Sequence, residues 1–422
     1  MERDLVGGAA HLRDCIPSKA MIASGSALAG VERVTRMGVA TARGEIDLEA
    51  LRQRVERIEQ SLERQGRELL ESQGVRIIRG TGRLVSPHLV EVKGPDGEET
   101  LDADVVVLAT GSRPRIPEWA RPDGERILTT RDAYPPKELP EHLVVIGSGV
   151  TGVEFVHMFT TLGSRVTLIV SRQQVLPRKD PEVAAVLEEE FIERGVTMLM
   201  GARAKSVVRT DRGVRVECDD GRSVEGSHAL LAVGLVPNSE GLGLEEVGVE
   251  TRDGYVVVDH NLRSSVPNVY AAGDLSGKLP LSSVAAMQGR KIAEHAMGLH
   301  TRPHRHIDYE KAASAVFTEP EIADVGLAEA DAFAEGRKVR VTKVPFAANA
   351  KALIEEDPRG FVKIVSDPAT GVVLGGSIVG RHAAELISVV ALAVTAGLRV
   401  SDIAESLFVH PALAESLAEA AE

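Results

Sequence analysis

Leu143-Val144-Val145-Ile146-Gly147-Ser148-Gly149-Val150-Thr151-Gly152 is the stretch that decides the fold. Four consecutive apolar residues read as a strand buried on both faces, and the glycines form a G-x-G-x-x-G pattern ahead of a helical stretch. The first glycine admits a tight turn, and the second lets the backbone approach a pyrophosphate. The third lets the helix pack close to the strand, leaving its N-terminal N–H groups facing phosphate oxygens. A second strand, residues 165–170, follows about one βαβ length later. An ordinary Gly-rich turn is the alternative. Strand, loop, helix and second strand in register favour a dinucleotide site cradled by Gly147, Gly149 and Gly152.

The end of the second strand selects the nucleotide. NAD sites carry an acidic residue there for the ribose 2′-hydroxyl. This strand ends Leu168-Ile169-Val170-Ser171-Arg172, without a carboxylate. Ser171 and Arg172 suit a 2′-phosphate, so NADPH is preferred over NADH; the other reading makes Arg172 a solvated surface charge.

Upstream, residues 45–73 carry Ile46, Leu48, Leu51, Val55, Ile58, Leu62 and Leu69 or Leu70 at helical spacing, which predicts a long amphipathic helix. Strands are expected at 75–78, 89–92 and 105–108, the last ending in Ala109-Thr110-Gly111. Pro114, Pro117, Pro122, Pro135, Pro136 and Pro140 mark a linker into the glycine-loop domain. That domain continues with strands at 206–209 and 214–218 around a turn at 211–213, and closes at 230–234. Residues 306–422 change character, with strands at 315–317, 339–345, 360–366 and 372–379 and an apolar helix at 383–396.

The chain has 422 residues, long enough for two to four domains. Lys and Arg number 49 against 62 Asp and Glu, a net charge of −13 that argues against nucleic acid as a partner. No run of about eighteen apolar residues predicts a membrane span, and residues 1–10 lack the pattern of a signal peptide. Two cysteines, Cys15 and Cys218, fit a reducing cytoplasm and exclude a disulfide scaffold or a Cys-rich metal site. His304 and His306 are spaced as in metal tracts but lack Cys or acidic neighbours, and read as solvated. No metal is expected.

Residues 7–19, Gly-Gly-Ala-Ala-His-Leu-Arg-Asp-Cys-Ile-Pro-Ser-Lys, resemble the active-site helix start of the class I flavoprotein disulfide reductases, the pyridine nucleotide-disulfide oxidoreductases. The likeness extends through Ala109-Thr110-Gly111-Ser112, Gly234-Leu235-Val236-Pro237-Asn238, Tyr270-Ala271-Ala272-Gly273-Asp274 and the near-terminal His410-Pro411 with Glu415. It implies an α/β fold of two Rossmann-like dinucleotide-binding domains, for FAD and NAD(P), plus a C-terminal α+β dimerisation domain. The implied division is 1–115 for FAD, 116–238 for NAD(P), 239–305 for the second part of the FAD domain and 306–422 for dimerisation. Asp274 is implied to bind the FAD ribityl chain, and Ala109, Thr110, Gly111, Gly234, Leu281 and Ser282 to complete the cofactor sites. Lys19 is implied to pair with Glu154 beside the flavin ring. A buried lysine needs a carboxylate, and its charge favours reduced, anionic flavin. His410, oriented by Glu415, is implied to act as acid/base across a homodimer interface, although a satisfied interface histidine is the competing reading.

Two departures qualify the likeness. Members with disulfide activity have two cysteines separated by four residues, where this chain has Ala10 and Cys15. A dithiol couple needs one sulfur to exchange and one to resolve, so disulfide reduction by that route is not expected. Cys15, at a helix start near Lys19, is either a retained thiolate or a small apolar residue; Cys218 is expected to be structural. The family also begins with a βαβ unit whose glycine loop holds the FAD pyrophosphate. Met1–Asp4 would enter near the end of that unit's second strand, with Glu2 matching the acid for the adenosine ribose. The expectation is a parent protein beginning some tens of residues earlier, and weak FAD binding by the chain as written.

These readings converge on hydride passing from NAD(P)H to FAD and on to a small-molecule acceptor without dithiol exchange. A quinone is favoured, as in the cysteine-deficient quinone-reductase branch. Transhydrogenation between nicotinamides, and an inactive nucleotide-binding or dimer-forming remnant, are the alternatives.

Overall fold

The computed structural model describes residues 1–8, 10–40, 44–299 and 306–422. They form two compact units, one comprising Met1–Ser18, Arg52–Arg115 and Gly234–Tyr309, the other Lys19–Leu51, Ile116–Val233 and Glu310–Glu422.

In the first unit, Thr81–Ser86, Leu89–Gly94 and Gly97–Asp102 make an antiparallel three-stranded meander. Val106–Leu108 and Val269–Ala271 pair in parallel, and Ser112–Pro114 pairs antiparallel with Leu235–Pro237. Leu84, Val92, Val106, Leu108, Val269, Leu275 and Ile292 belong to one buried cluster, which joins the meander, the parallel pair and the helix Ser282–Ala296. The parallel pair has only two strands among the described residues.

The expected strand at 75–78 is absent. Only an isolated parallel bridge, Glu2 to Arg79, adjoins it, with Glu2 N donating to Ile78 O and Gly80 N to Glu2 O. A bridge of one residue cannot sustain a ladder, and Val75 is exposed. The long helix runs Leu48–Ser72; Leu51 and Val55 are buried, whereas Leu69 and Leu70 at its far end are exposed.

The second unit holds a parallel five-stranded sheet. Its spatial order is Ile127–Thr129, His228–Leu231, His142–Ile146, Arg165–Val170 and Thr197–Met200. Leu143, Val144 and Val145 are fully buried, as a strand covered on both faces requires. The helix Val150–Thr161 leaves the central strand, and Pro181–Glu193 follows the next, opened by the Asp180 carboxylate accepting from Glu182 N. An antiparallel meander, Ala204–Thr210, Gly213–Cys218 and Ser223–Gly226, follows the sheet.

The C-terminal part of this unit is an antiparallel sheet ordered Ser314–Val316, Glu321–Gly326, Val373–Gly380, Phe361–Ser366 and Arg340–Pro345. Helix Ala383–Ala396 lays Ala383, Ile387, Val390 and Val394 into that sheet's core, the helical spacing of one buried face. Leu392 on the same helix, with Phe333 and Leu407 elsewhere in this part, remains exposed.

Candidate functional site

The glycine loop is shaped by sterics. Gly147 adopts φ +113°, and a Cβ there would run into the Ala232 carbonyl; one on Gly152 would strike the Gly147 carbonyl. At Gly149 a Cβ would meet nothing within 4 Å. The first and third glycines therefore close the turn against the sheet, while the second leaves an open approach. No side chain caps the helix that starts after Gly149, so its first N–H groups stay available to an anion. These residues fit a dinucleotide pyrophosphate.

At the end of the second strand, Gly201 N donates to Arg172 O and Ala202 N to Val170 O, fixing the backbone under Ser171 and Arg172. Both side chains are exposed, and Arg172 has no carboxylate partner among the described residues.

One turn along the same helix, Glu154 is nearly buried. Its Oε2 accepts from Lys19 Nζ at 2.8 Å, and its Oε1 accepts from Phe317 N at 3.0 Å. Lys19 belongs to the helix Ile16–Arg36. The Lys19 side chain is 32% exposed against 6% for Glu154, so the carboxylate is the more desolvated partner. A buried His157 lies one turn beyond Glu154, its Nδ1 3.1 Å from Arg194 Nη1; burial, then the adjacent Arg194 and Arg359, lower its pKa to about 3.

Within the first unit, both strands of the parallel pair end at candidate residues. Ala109, Thr110 and Gly111 follow one, Gly273 and Asp274 the other, the position where α/β sheets bind ligands. Thr110 Oγ1 donates to Asn238 O at 2.6 Å, and Asn238 returns bonds to the Thr110 and Gly111 carbonyls. Gly234 O accepts from Arg115 N at 2.9 Å, anchoring the same crossover. Ser112 Oγ donates to Asp274 Oδ2 at 2.5 Å, and the fully buried Gln288 accepts from Gly273 N at 2.7 Å. Leu281 caps the helix Ser282–Ala296 without a side-chain bond, leaving another open helix start. Cys15 Sγ lies 3.9 Å from Ser282 Oγ, at the end of the π-helical turn Ala10–Cys15. The Glu2 carboxylate accepts from Asp4 N at 2.8 Å. Carboxylate, hydroxyls and open amides fit the polar chain of a flavin dinucleotide.

In the second unit, His410 Nδ1 is 2.7 Å from Glu415 Oε1, and Glu415 Oε2 accepts from Ala412 N at 2.8 Å. The Ala412 N–H, then His410, lower the Glu415 pKa. The histidine side chain is 75% exposed, so its ring is presented to solvent rather than to this chain's core.

Cys218 is buried in a strand, and burial raises its thiol pKa. His304 lies outside the described residues. His306 packs edge-on to His260 with centroids 4.3 Å apart, and no cluster of three metal-ligating side chains occurs among the described residues. Sequence reasoning missed Phe317, Gln288 and His157. Glutamine and histidine on apolar helix faces offered a weak signal for the last two, and none pointed to Phe317.

Comparison with known proteins shows the family. The model of the pyridine nucleotide-disulphide oxidoreductase family matches residues 2–289, and that of the family's dimerisation domain matches 312–421. The chain is 44% identical to an NAD(P)H dehydrogenase (quinone) of Mycobacterium tuberculosis, over 99% of this chain and 86% of that protein. It is 35% identical to a dihydrolipoyl dehydrogenase of Chlamydia muridarum, over 100% of this chain and 90% of that protein. Among solved structures, LpdA of Mycobacterium tuberculosis superposes with a TM-score of 0.94 at 44% identity, covering 99% of this chain and 92% of that one. The flavoprotein disulfide reductase RclA of Escherichia coli does so with a TM-score of 0.87 at 25% identity, covering 98% and 91%. No helix among the described residues is long and apolar enough to cross a membrane. The chain belongs to the pyridine nucleotide-disulphide oxidoreductase family and is an NAD(P)H-dependent FAD oxidoreductase.

Proposed function

We propose that this enzyme passes electrons from NADPH through FAD to a quinone-type acceptor, without dithiol/disulfide exchange. The observation that carries the proposal is Ala10 at the sequence position of a second sulfur, in a chain that retains the Lys19–Glu154 pair and the glycine loop. The quinone-named relative, at higher identity than the dihydrolipoyl dehydrogenase of Chlamydia muridarum, supports it.

In this reading Gly147, Gly149 and Gly152 hold the NADPH pyrophosphate, and Ser171 with Arg172 hold the 2′-phosphate. Ala109, Thr110, Gly111, Gly234, Asp274, Leu281, Ser282 and Glu2 hold FAD. FAD held by these residues would supply the two-electron chemistry that links the nicotinamide to the acceptor. Glu154 orients Lys19, and the Lys19 ammonium offsets negative charge that accumulates beside it. Cys15 serves as a small residue beside Ser282. His410, held by Glu415, supplies a proton to the reduced acceptor. The overall balance is NADPH, a proton and quinone giving NADP⁺ and quinol.

We assign segments 1–115 and 239–305 to FAD, 116–238 to NAD(P) and 306–422 to a homodimer interface, and place the enzyme in the cytoplasm. Ser171 and Arg172 also favour one second reading, hydride exchange between nicotinamides. The deciding experiment reduces the FAD-loaded protein anaerobically with NADPH and then mixes it with 1,4-naphthoquinone, lipoamide or thio-NAD⁺. Rapid reoxidation by the quinone alone is expected. Turnover with lipoamide would sink the proposal, and reoxidation only by thio-NAD⁺ would establish the second reading.

A further inference from the structure

Lys19 has a second neighbour besides Glu154. Its Nζ stands 4.7 Å from the centroid of the Phe317 ring, whose backbone N–H is the other donor to Glu154. One residue thus touches both charges, the ring on the cation and the amide on the anion. We propose that Phe317 is a positioning residue for the reaction, acting through the Lys19–Glu154 pair. The proposal rests on the reading that this pair stands beside the flavin.

An ion pair with a partly exposed lysine fixes its own geometry weakly, because the long side chain has many rotamers and water competes for the ammonium. The negative face of an aromatic ring attracts that ammonium and displaces water from one side of it. Phe317 N–H leaves Glu154 with both oxygens engaged, so the carboxylate cannot swing away from Lys19.

Phe317 is itself held. It follows the strand Ser314–Val316, which is paired with Glu321–Gly326, and Thr318 Oγ1 donates to Pro320 O at 2.7 Å. Two residues on, the Glu319 carboxylate meets Arg33 at 2.8 Å and Arg359 at 3.3 Å, while its carbonyl accepts from Arg194 at 2.9 Å. Arg33 lies on the same helix as Lys19, about 21 Å further along. Segment 317–319 therefore grips that helix at two levels and the glycine-loop helix at one. A ring that merely filled space would require neither the amide bond nor its position over the ammonium.

The test uses the full FAD-loaded chain. Phe317→Leu keeps the amide and much of the volume but removes the ring; Phe317→Tyr keeps both; Lys19→Met removes the cation. The readouts are the midpoint potential of the bound flavin and the stopped-flow rate of its reduction by NADPH. Phe317→Leu is expected to lower the potential and slow reduction about 3- to 30-fold, the range of cation–π strengths. Phe317→Tyr should restore both to within about twofold. In a Lys19→Met background the Phe317→Leu change should add little, since its target is gone. If Phe317→Leu does not fold, Phe317→Met carries the same comparison.

If Lys19→Met moves both readouts and Phe317→Leu moves neither, the Phe317 proposal fails and the flavin-side pair stands. A full additional Phe317→Leu effect in the Lys19→Met background overturns it likewise. If Lys19→Met moves neither, the underlying reading of the pair fails first and the proposal falls with it.

Discussion

Glu154 Oε2 and Lys19 Nζ are 2.8 Å apart, and the carboxylate is the more buried of the two. The partners are therefore unequal. Neutralising Lys19 leaves a buried carboxylate without its ammonium partner, whereas neutralising Glu154 leaves a lysine that is already partly exposed. Glu154→Gln is expected to fold and to slow flavin reduction by NADPH about 10- to 100-fold, the value of one hydrogen bond to a charged group. Lys19→Met is expected to cost more in thermal stability than Glu154→Gln. Stopped-flow reduction and melting curves of the two variants check both statements; equal stability losses would show that the pair is solvated throughout.

The three glycines separate folding from binding. Gly149→Ala meets open space, so its melting temperature should stay within a few degrees of wild type. NADPH dissociation should nevertheless rise about tenfold or more, because the methyl stands where a phosphate must approach. Gly152→Ala collides with the Gly147 carbonyl and should lower stability by about 2 kcal/mol or more, with binding lost as a consequence. Calorimetric binding alongside thermal melts would reveal the contrast, and a destabilised Gly149→Ala would refute it.

Legibility followed the range of the interactions. Leu143 to Ile146 and the glycines after them could be read because an apolar run and glycine spacing are local. Helix Ala383–Ala396 was readable from its apolar residues alone. Gly97–Asp102, with its three acidic residues, carries no strand signature and is a strand only because Leu89–Gly94 pairs with it. Residues 75–78 show the reverse, a β-branched stretch (Val75, Ile77 and Ile78 around Arg76) lacking a partner ladder. Lys19 and Glu154 were legible as a pair only through family likeness, since 135 residues separate them. Phe317 was illegible because its role arises from a contact with both, which no local pattern encodes.

Coenzyme choice rests on Arg172, whose exposed guanidinium no carboxylate neutralises among the described residues. Arg172→Glu should weaken NADPH about 10- to 100-fold by losing a charge-assisted bond and adding repulsion. NADH should be weakened far less, since it lacks the 2′-phosphate. The ratio of kcat/KM for NADPH over NADH, measured at low ionic strength, tests this. An unchanged ratio would make Arg172 a surface charge.

His157 gives the pH dependence a sign. Burial beside Arg194 and Arg359 lowers its pKa to about 3, against an unfolded value of 6.5. The unfolded chain therefore binds the proton first as pH falls. The stability due to neutral His157 is complete above pH 6.5 and is lost progressively from there down toward pH 3. At pH 5 the loss reaches about 2 kcal/mol, from 1.36 kcal/mol per pH unit. Replacing the histidine with a non-titrating side chain should flatten this component. His157→Gln is expected to be less stable than wild type at pH 8, because its amide must fit a site shaped for a ring, yet to lose less additional stability between pH 8 and pH 5. Urea unfolding at both pH values measures the difference, and an equal loss in both proteins would mean that the proton is taken up elsewhere.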